Sequence, residues 1–310
     1  MLMRVGITGG LGFIGSNLAK KILGLNIDVT IIDDLSSGKR ENLDGYKFRY
    51  IPGSIMDDDS VEDFFEGLDF VYHLAARGSV PRSFANQKLT YEANLVGSIA
   101  ILEAARVNSI PLVLVSSSSV FGSSNLSSRS EADLKNPISP YAVSKLAMEM
   151  ASTVNRKIFS QQCTVVRLFN VFGPLQRGDH DYAAVIPRWI NSALNKKPLH
   201  LFGDGSNSRD FTYVGDVVDI LTAFLFNRSL FKYPEVNIGF GRQIELNNII
   251  EILRKNFDEL IVQNFPERVG DISKSSNDAA LFNSLFNNFQ PKQIEEAVEE
   301  TINWFKAQNF

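Results

Sequence analysis

Arg4-Val5-Gly6-Ile7-Thr8-Gly9-Gly10-Leu11-Gly12-Phe13-Ile14-Gly15 is the stretch that decides the fold. Arg4–Thr8 is a short apolar run and predicts a strand. Residues 13–23 repeat apolar side chains at helical spacing, and the glycines between them predict a tight turn. Gly10, Gly12 and Gly15 meet one dinucleotide-binding spacing; Gly9, Gly12 and Gly15 meet a wider variant. A side chain at the close-approach position would hold the backbone away from a pyrophosphate. The helix start offers that anion unpaired N–H groups and the positive end of the peptide dipoles. About 20 residues on, such a unit needs an acid for the ribose hydroxyls. Asp33 stands there, directly after the apolar run 29–32. An acid at this point repels a 2′-phosphate and so favours NAD over NADP, although Lys39 and Arg40 follow closely. A glycine turn without a ligand is the bland alternative. Strand, glycines, helix and acid in register weigh against it.

Outward from that unit, apolar runs recur at 70–74, 112–115 and 165–168, with helical patterns at 94–107 and 141–159. Strands alternating with helices predict an α/β fold: a doubly wound parallel sheet of the Rossmann kind, covered on both faces. After Asn170 glycine, proline, asparagine and aromatic residues become dense and the helical patterns shorten. The expected division is a dinucleotide-binding domain over residues 1–169. A smaller α/β domain follows over 170–310, part of it returning to the main sheet. Residues 291–304 predict one amphipathic helix, with Ile294, Val298 and Ile302 on its apolar side.

The chain has 310 residues, 44% of them apolar and 21% charged, enough for a large core. A net charge of -4 gives no basic field for nucleic acid. Cys163 is the single cysteine, so no internal disulfide forms, as in a reducing compartment. Residues 1–8 run straight into the first strand, without the pattern of a signal peptide, and no apolar run approaches the roughly 20 residues that cross a bilayer. The expectation is a cytoplasmic protein with no membrane partner and no metal.

Tyr141 and Lys145 are four apart and share one face if 141–159 is a helix. Ser139 and Pro140 suit its start, as cap and first-turn residue. Upstream, Ser116, Ser117, Ser118 and Ser119 follow the run 112–115, at the strand end where ligands bind in such sheets. A tyrosine with an ordinary pKa near 10 is a poor base at neutral pH, and a neighbouring ammonium favours its phenolate. A tyrosine and lysine at this spacing are most often a surface helix. The preceding dinucleotide unit and serine-bearing strand end favour chemistry instead.

Together these residues resemble the extended short-chain dehydrogenase/reductase family, the NAD-dependent epimerases and dehydratases. The resemblance spans nearly the whole chain. It runs through residues 8–15, Asp33-Asp34-Leu35-Ser36-Ser37-Gly38, His73-Leu74-Ala75-Ala76, 116–122, Tyr141-Ala142-Val143-Ser144-Lys145, 167–174 and 203–216. It implies Tyr141 as catalytic base, Lys145 as its activator and ribose ligand, and Ser117 as the hydroxyl on the sugar O4. It implies NAD as the cofactor, against Gly9, Gly12, Phe13, Ile14 and Gly15, against Asp33, Ser36 and Gly38, and against Leu74, Ala75, Ala76 and Asn94. Gly53-Ser54-Ile55 stands where the family has Gly-Asp-Ile; Ile55 keeps the pattern, and Ser54 reaches the adenine only with a shorter arm. For a UDP-sugar substrate it implies Asn170, Arg209 and Arg268 at the diphosphate, the arginines through their rigid forks. Gly78, Ser79, Ser118, Ala184, Val185, Asp271 and Ser275 would complete that site. A homodimer is implied too, pairing through the helices of 94–107 and 141–159, though an apolar sheet-covering helix has the same sequence pattern.

Sugar-nucleotide dehydratases of this family carry Asp-Glu directly after the catalytic hydroxyl residue, and UDP-glucuronate decarboxylases a glutamate at the second position. Here those positions are Ser118 and Ser119. Without an acid, what remains is oxidation at C4 and re-reduction, a 4-epimerisation. Residues 78–83 and 181–187 look like bacterial UDP-N-acetylglucosamine 4-epimerases. Ser275, four after Asp271, occupies a size-determining position where a small residue leaves room for an N-acetyl group. Decarboxylase, uronate epimerase and keto-sugar reductase stay open as alternatives, as does a non-catalytic NAD-sensing regulator. Phe121 replaces the usual tyrosine of Val-Tyr-Gly, losing one hydroxyl.

Overall fold

In the computed structural model, which describes residues 3–122, 126–180, 182–267 and 274–308, the first elements are β1 (Arg4–Thr8), α1 (Phe13–Gly24), β2 (Asp28–Asp33), β3 (Arg49–Pro52), β4 (Phe70–His73) and β5 (Leu112–Ser117). The main sheet has seven strands in the order Glu235–Ile238, Cys163–Leu168, β5, β4, β1, β2, β3. β1 pairs in parallel with β2 and β4, and β4 with β5. The Val165 N–H bonds the Pro234 carbonyl and the Phe169 N–H that of Ile238, a constant offset that makes this pairing parallel too. Order and direction are those of the doubly wound α/β fold. Thr8 lies beside both Ile32 and His73, so the carboxyl ends of β1, β2 and β4 form one rim.

Two compact units are formed. Unit 1 comprises Met1–Gly122, Leu134–Arg167 and Val218–Val236; unit 2 comprises Ser123–Asp133, Leu168–Val217 and Asn237–Phe310. In unit 1 the inner strands β1, β2, β4 and β5 are buried almost throughout, as central parallel strands must be, while the edge strand β3 is not. Phe64 and Phe65 of the Asp58–Phe65 helix, Ile101 and Leu102 of the Gly97–Val107 helix, and Met148 of the Pro140–Phe159 helix pack on Ile32, Val71, Leu112, Leu114 and Val165. Each such side chain contributes roughly 1.5–3 kcal/mol on burial. The Tyr72 hydroxyl donates to the Leu221 carbonyl of the Val214–Phe226 helix at 2.7 Å, which gives this buried phenol its partner.

Unit 2 holds short strands: Ile244–Glu245, Ser208–Arg209, Lys274–Asn277 and Ser128–Arg129 form one sheet, and Leu199–Phe202 pairs with Val262–Phe265. Its helices are not uniformly short, contrary to the thinning pattern after Asn170. Ile294–Ala307 has 14 residues and Val214–Phe226, which runs on into unit 1, has 13, against 12 in α1. The last helix starts at Ile294 rather than at 291. The Lys292 N–H donates to Asp216, and the Pro291 and Lys292 carbonyls accept from Arg242, so that turn is committed elsewhere.

Candidate active site

The turn after β1 is built on Gly9, Gly12 and Gly15. Gly9 has φ +66°, and a Cβ on it would lie 2.8 Å from the Ala75 backbone. A Cβ on Gly15 would stand 2.2 Å from the Gly9 carbonyl oxygen. Gly10 packs against the Ile31 side chain, where a Cβ would lie 2.7 Å away. Gly12 caps α1 in extended geometry with no side-chain cap. A Cβ there would approach only the Gly9 oxygen, at 3.3 Å, so a side chain would fill the open space before the helix start. Phe13 and Ile14, both half-buried, form the first turn. An uncapped helix start with clear space ahead fits a dinucleotide pyrophosphate.

Asp33 is 8% exposed and its carboxylate accepts the Leu11 and Leu35 N–H groups, both at 2.9 Å. Burial pushes its pKa up, while those two N–H bonds pull it back. It thus ties the glycine turn to the Ser36–Gly38 loop; lone pairs remain for a ribose. Gly38 lies against the Leu11 backbone, and Ser36 is exposed, its N–H bonded to Asp34. Ser54 uses its hydroxyl on the Met56 N–H. The Ile55 side chain is a member of the core. Leu74, Ala75 and Ala76 are half-buried beyond β4, with the Ala75 N–H on the Thr8 hydroxyl at 3.0 Å.

Asn94 sits in a π-helical turn, Glu92–Val96, that leads into the Gly97–Val107 helix. Fully buried, it accepts the Arg77 N–H at 2.6 Å and donates to the Arg77 carbonyl and to Ser144. It therefore clamps the loop after β4 to the Tyr141 helix. In that loop Gly78 is exposed and Ser79 adopts φ +87°.

The Pro140–Phe159 helix starts as the sequence predicts: Ser139 caps it, accepting the Ala142 N–H, and Pro140 occupies the first turn. Tyr141 hydrogen-bonds Ser117, the last residue of β5. Burial pushes the Tyr141 pKa up and the Ser117 bond pulls it back. Lys145 is 3% exposed and donates to the Val115 carbonyl at 2.8 Å. Burial pushes its pKa down to about 8, with the charge of Glu149 acting in the opposite direction. His73 bridges Thr8 and Ser98 at 2.7 Å each. Burial first, and then the Lys145 charge, hold it down to about 3, so it is neutral. Ser118 follows at the strand end, half-buried, and the Ser119 hydroxyl is buried without a hydrogen-bond partner among the described residues.

Sequence reasoning missed Glu149 and read Arg167 only as the first residue of the 167–174 motif. Arg167 is fully buried in the Cys163–Leu168 strand and grips Glu149 through Nε at 3.0 Å and Nη2 at 2.7 Å. Ser116 donates to the same carboxylate at 2.5 Å. Arg167 also pairs with Glu235, which Lys135 reaches at 3.5 Å. The Arg167 guanidinium lies 5.3 Å from the centre of the Phe121 ring, so this phenylalanine has its own packing task. A charge inside an otherwise apolar strand was the available signal.

In unit 2, Asn170 has φ +32° and donates to the Asp210 carbonyl at 3.5 Å. Arg209 is directly paired with Ser275 between parallel strands, so two predicted substrate residues stand side by side. Ala184 caps the Val185–Leu194 helix without a side-chain hydrogen bond. Arg268, Asp271 and Asp181 lie outside the described residues. A third buried acid, Asp210, accepts the Phe240, Gly241 and Asn277 N–H groups at 3.1, 2.9 and 3.0 Å.

The NAD-dependent epimerase/dehydratase family model matches residues 5–239, and the chain belongs to that family. Its relatives are sugar-nucleotide enzymes. A solved UDP-N-acetylglucosamine 4-epimerase of Methanobrevibacter ruminantium, in complex with UDP-N-acetylmuramic acid, is 34% identical with a TM-score of 0.91, covering 99% of this chain and 100% of that one. The UDP-glucose 4-epimerase of Mycolicibacterium smegmatis is 30% identical over 98% of this chain and 99% of its own. A UDP-glucuronate 4-epimerase of Thermodesulfobacterium geofontis is 29% identical over 97% of this chain and 95% of its own. The chain is thus an enzyme of an NAD-dependent epimerase family, whose members differ in the sugar they act on.

Proposed function

We propose that this enzyme is a UDP-hexose 4-epimerase, interconverting UDP-N-acetylglucosamine and UDP-N-acetylgalactosamine, and by the same chemistry UDP-glucose and UDP-galactose. The carrying observation is the Tyr141–Ser117 hydrogen bond beside a buried Lys145, with serines rather than acids at 118 and 119. NAD, when bound, supplies the acceptor for the C4 hydride and returns it. Tyr141 as phenolate takes the O4 proton, and Ser117 holds that oxygen. Lys145, charged, favours the phenolate and reaches the ribose. Ser118 and Ser119 carry no group that is ionised at neutral pH and so offer no acid for elimination. Gly9, Gly12 and Gly15 accommodate the pyrophosphate, and Asp33 the ribose. Asn170, Arg209 and Arg268 hold the nucleotide diphosphate. Fixing this remote part while the sugar turns uses binding energy away from the reacting centre.

Ser275 beside Arg209 supports room for an N-acetyl group. The proposed division is an NAD-binding domain over 1–169 and a sugar-nucleotide-binding domain over 170–310, part of which returns to the main sheet, as Glu235–Ile238 does. The enzyme is proposed to be a cytoplasmic homodimer. Among the described residues no helix is long and apolar enough to cross a membrane. Met150, Val154 and Ile158 form an exposed apolar stripe on the Tyr141 helix, 64%, 54% and 69% exposed, and Ile99 and Val107 are exposed on the Gly97–Val107 helix. Covering such a surface with a second copy is favourable; light scattering at micromolar concentration tests it.

The functional test is nuclear magnetic resonance of the purified enzyme, without added cofactor, with UDP-N-acetylglucosamine and separately with UDP-glucose. The galacto epimer is expected from both, faster from the first. No epimer from folded, NAD-loaded protein overturns the reading. Carbon dioxide release or net NADH would identify a decarboxylase or an oxidoreductase of the same family.

A further inference from the structure

Tyr141, Lys145 and Glu149 follow one another at steps of four on one helix and so stack along a single face. Opposite them lie three consecutive residues of β5. Val115 accepts from Lys145, Ser116 donates to Glu149, and Ser117 bonds Tyr141. Each of the three helix residues thus has its own partner on the strand, and the Glu149–Ser116 pair is the one that the reaction does not use. Glu149 is 2% exposed, and both its oxygens are engaged by Arg167.

Resting on the reading of Tyr141 and Lys145 above, we propose that Glu149 is a positioning residue for that pair. Its carboxylate, immobilised by Arg167 and Ser116, keeps the Lys145 ammonium charged and holds the strand end from which Ser117 projects. Packing alone does not call for this arrangement, since a buried ion pair is often replaceable by apolar side chains of the same volume. The groups that face Lys145 are His73 from β4, the Val115 carbonyl from β5, and Tyr141 and Glu149 from its own helix. His73 is neutral, so Glu149 is the counter-charge among them. Glu149 in turn faces Ser116 of β5 and Arg167 of the Cys163–Leu168 strand, whose second partner is Glu235, paired with Lys135. Burial pushes the Lys145 pKa down and the fixed negative charge of Glu149, two turns from the phenol, opposes it, the two together leaving it at about 8.

The test follows Lys145 directly, in NAD-loaded protein labelled with carbon-13 at the lysine ε-carbon. Its resonance is identified by its loss in Lys145→Met. In Glu149→Gln the Lys145 titration is expected about 1 pH unit lower than in the natural enzyme. The alkaline fall of kcat should move the same way, with KM unchanged. Because Glu149→Gln leaves the buried Arg167 short of charge, Glu149→Met with Arg167→Met is run in parallel; it withdraws both charges and keeps the volume. Its Lys145 titration should also fall. Glu235→Gln, which loosens Arg167 from its other side, should leave that titration in place. A Lys145 titration unmoved in either folded Glu149 variant overturns the proposal, as does an equal shift in Glu235→Gln. A shifted Lys145 in a protein that makes no epimer supports the positioning role and sinks only the substrate reading.

Discussion

Glu149 in unit 1 and Asp210 in unit 2 are both buried carboxylates, 2% and 0% exposed, yet they are held by opposite means. Glu149 is held by a guanidinium and a hydroxyl. Asp210 is held by backbone N–H groups from two distant stretches, at Phe240 and Gly241 and at Asn277. Burial pushes the Asp210 pKa up while those N–H bonds pull it down. An acid satisfied by amides joins chain to chain. An acid satisfied by a charged partner beside an ammonium sets the electrostatics of a reacting pair.

The comparison breaks most sharply at Tyr141. Tyr141→Phe is expected to lower kcat by about 10³-fold or more, with the melting temperature and bound NAD unchanged. A near-normal rate would remove chemistry from that helix face altogether. Asp210→Ala should do the reverse and act on stability, costing about 3 kcal/mol through three stranded N–H groups. A urea midpoint equal to that of the natural chain would show that Asp210 joins nothing.

Third comes a pH effect from His73. Its pKa is about 3 folded against 6.5 unfolded, so the unfolded chain binds more protons between these values. Stability is therefore complete above about pH 6.5 and is lost as pH falls toward 3, at up to about 1.4 kcal/mol per pH unit. His73→Gln should flatten this slope in urea titrations at pH 4 to 7, and an unchanged slope would assign it to other groups. The smallest effect is expected at Ser275, whose carbonyl accepts the Asp210 N–H. Ser275→Tyr should shift the rate ratio toward the plain hexose by about tenfold. An unchanged ratio would place the selection for the N-acetyl group elsewhere.

The legible parts of the molecule were those in which neighbouring residues cooperate locally. Gly9 to Gly15, Asp33, and Ser139 with Tyr141 and Lys145 each announce a turn, strand end or helix start within a few positions. That Gly10 meets Ile31 while Gly9 meets Ala75 was not legible, because both neighbours lie on other stretches of the chain. Nor was the pairing of Arg209 with Ser275, a bridge between strands 66 positions apart that each hold too few residues to show a period. Arg167 was read only as part of a motif, since its partner lies on another element. Asn94 was placed near the cofactor by resemblance, but its grip on Arg77 depends on a π-helical turn that no side-chain spacing encodes.

The interleaving of the two units bears on how the chain is made. The Cys163–Leu168 strand finds its outer neighbour only at Glu235–Ile238, about 70 residues later. At synthesis rates of about 5–20 residues per second, that apolar edge waits roughly 4–14 s on the ribosome for the strand that covers it. A growing polypeptide with an open edge of this kind is a template for pairing with another chain. Truncations that end before residue 235 should accumulate in inclusion bodies, and the nascent enzyme has most need of a chaperone during that interval.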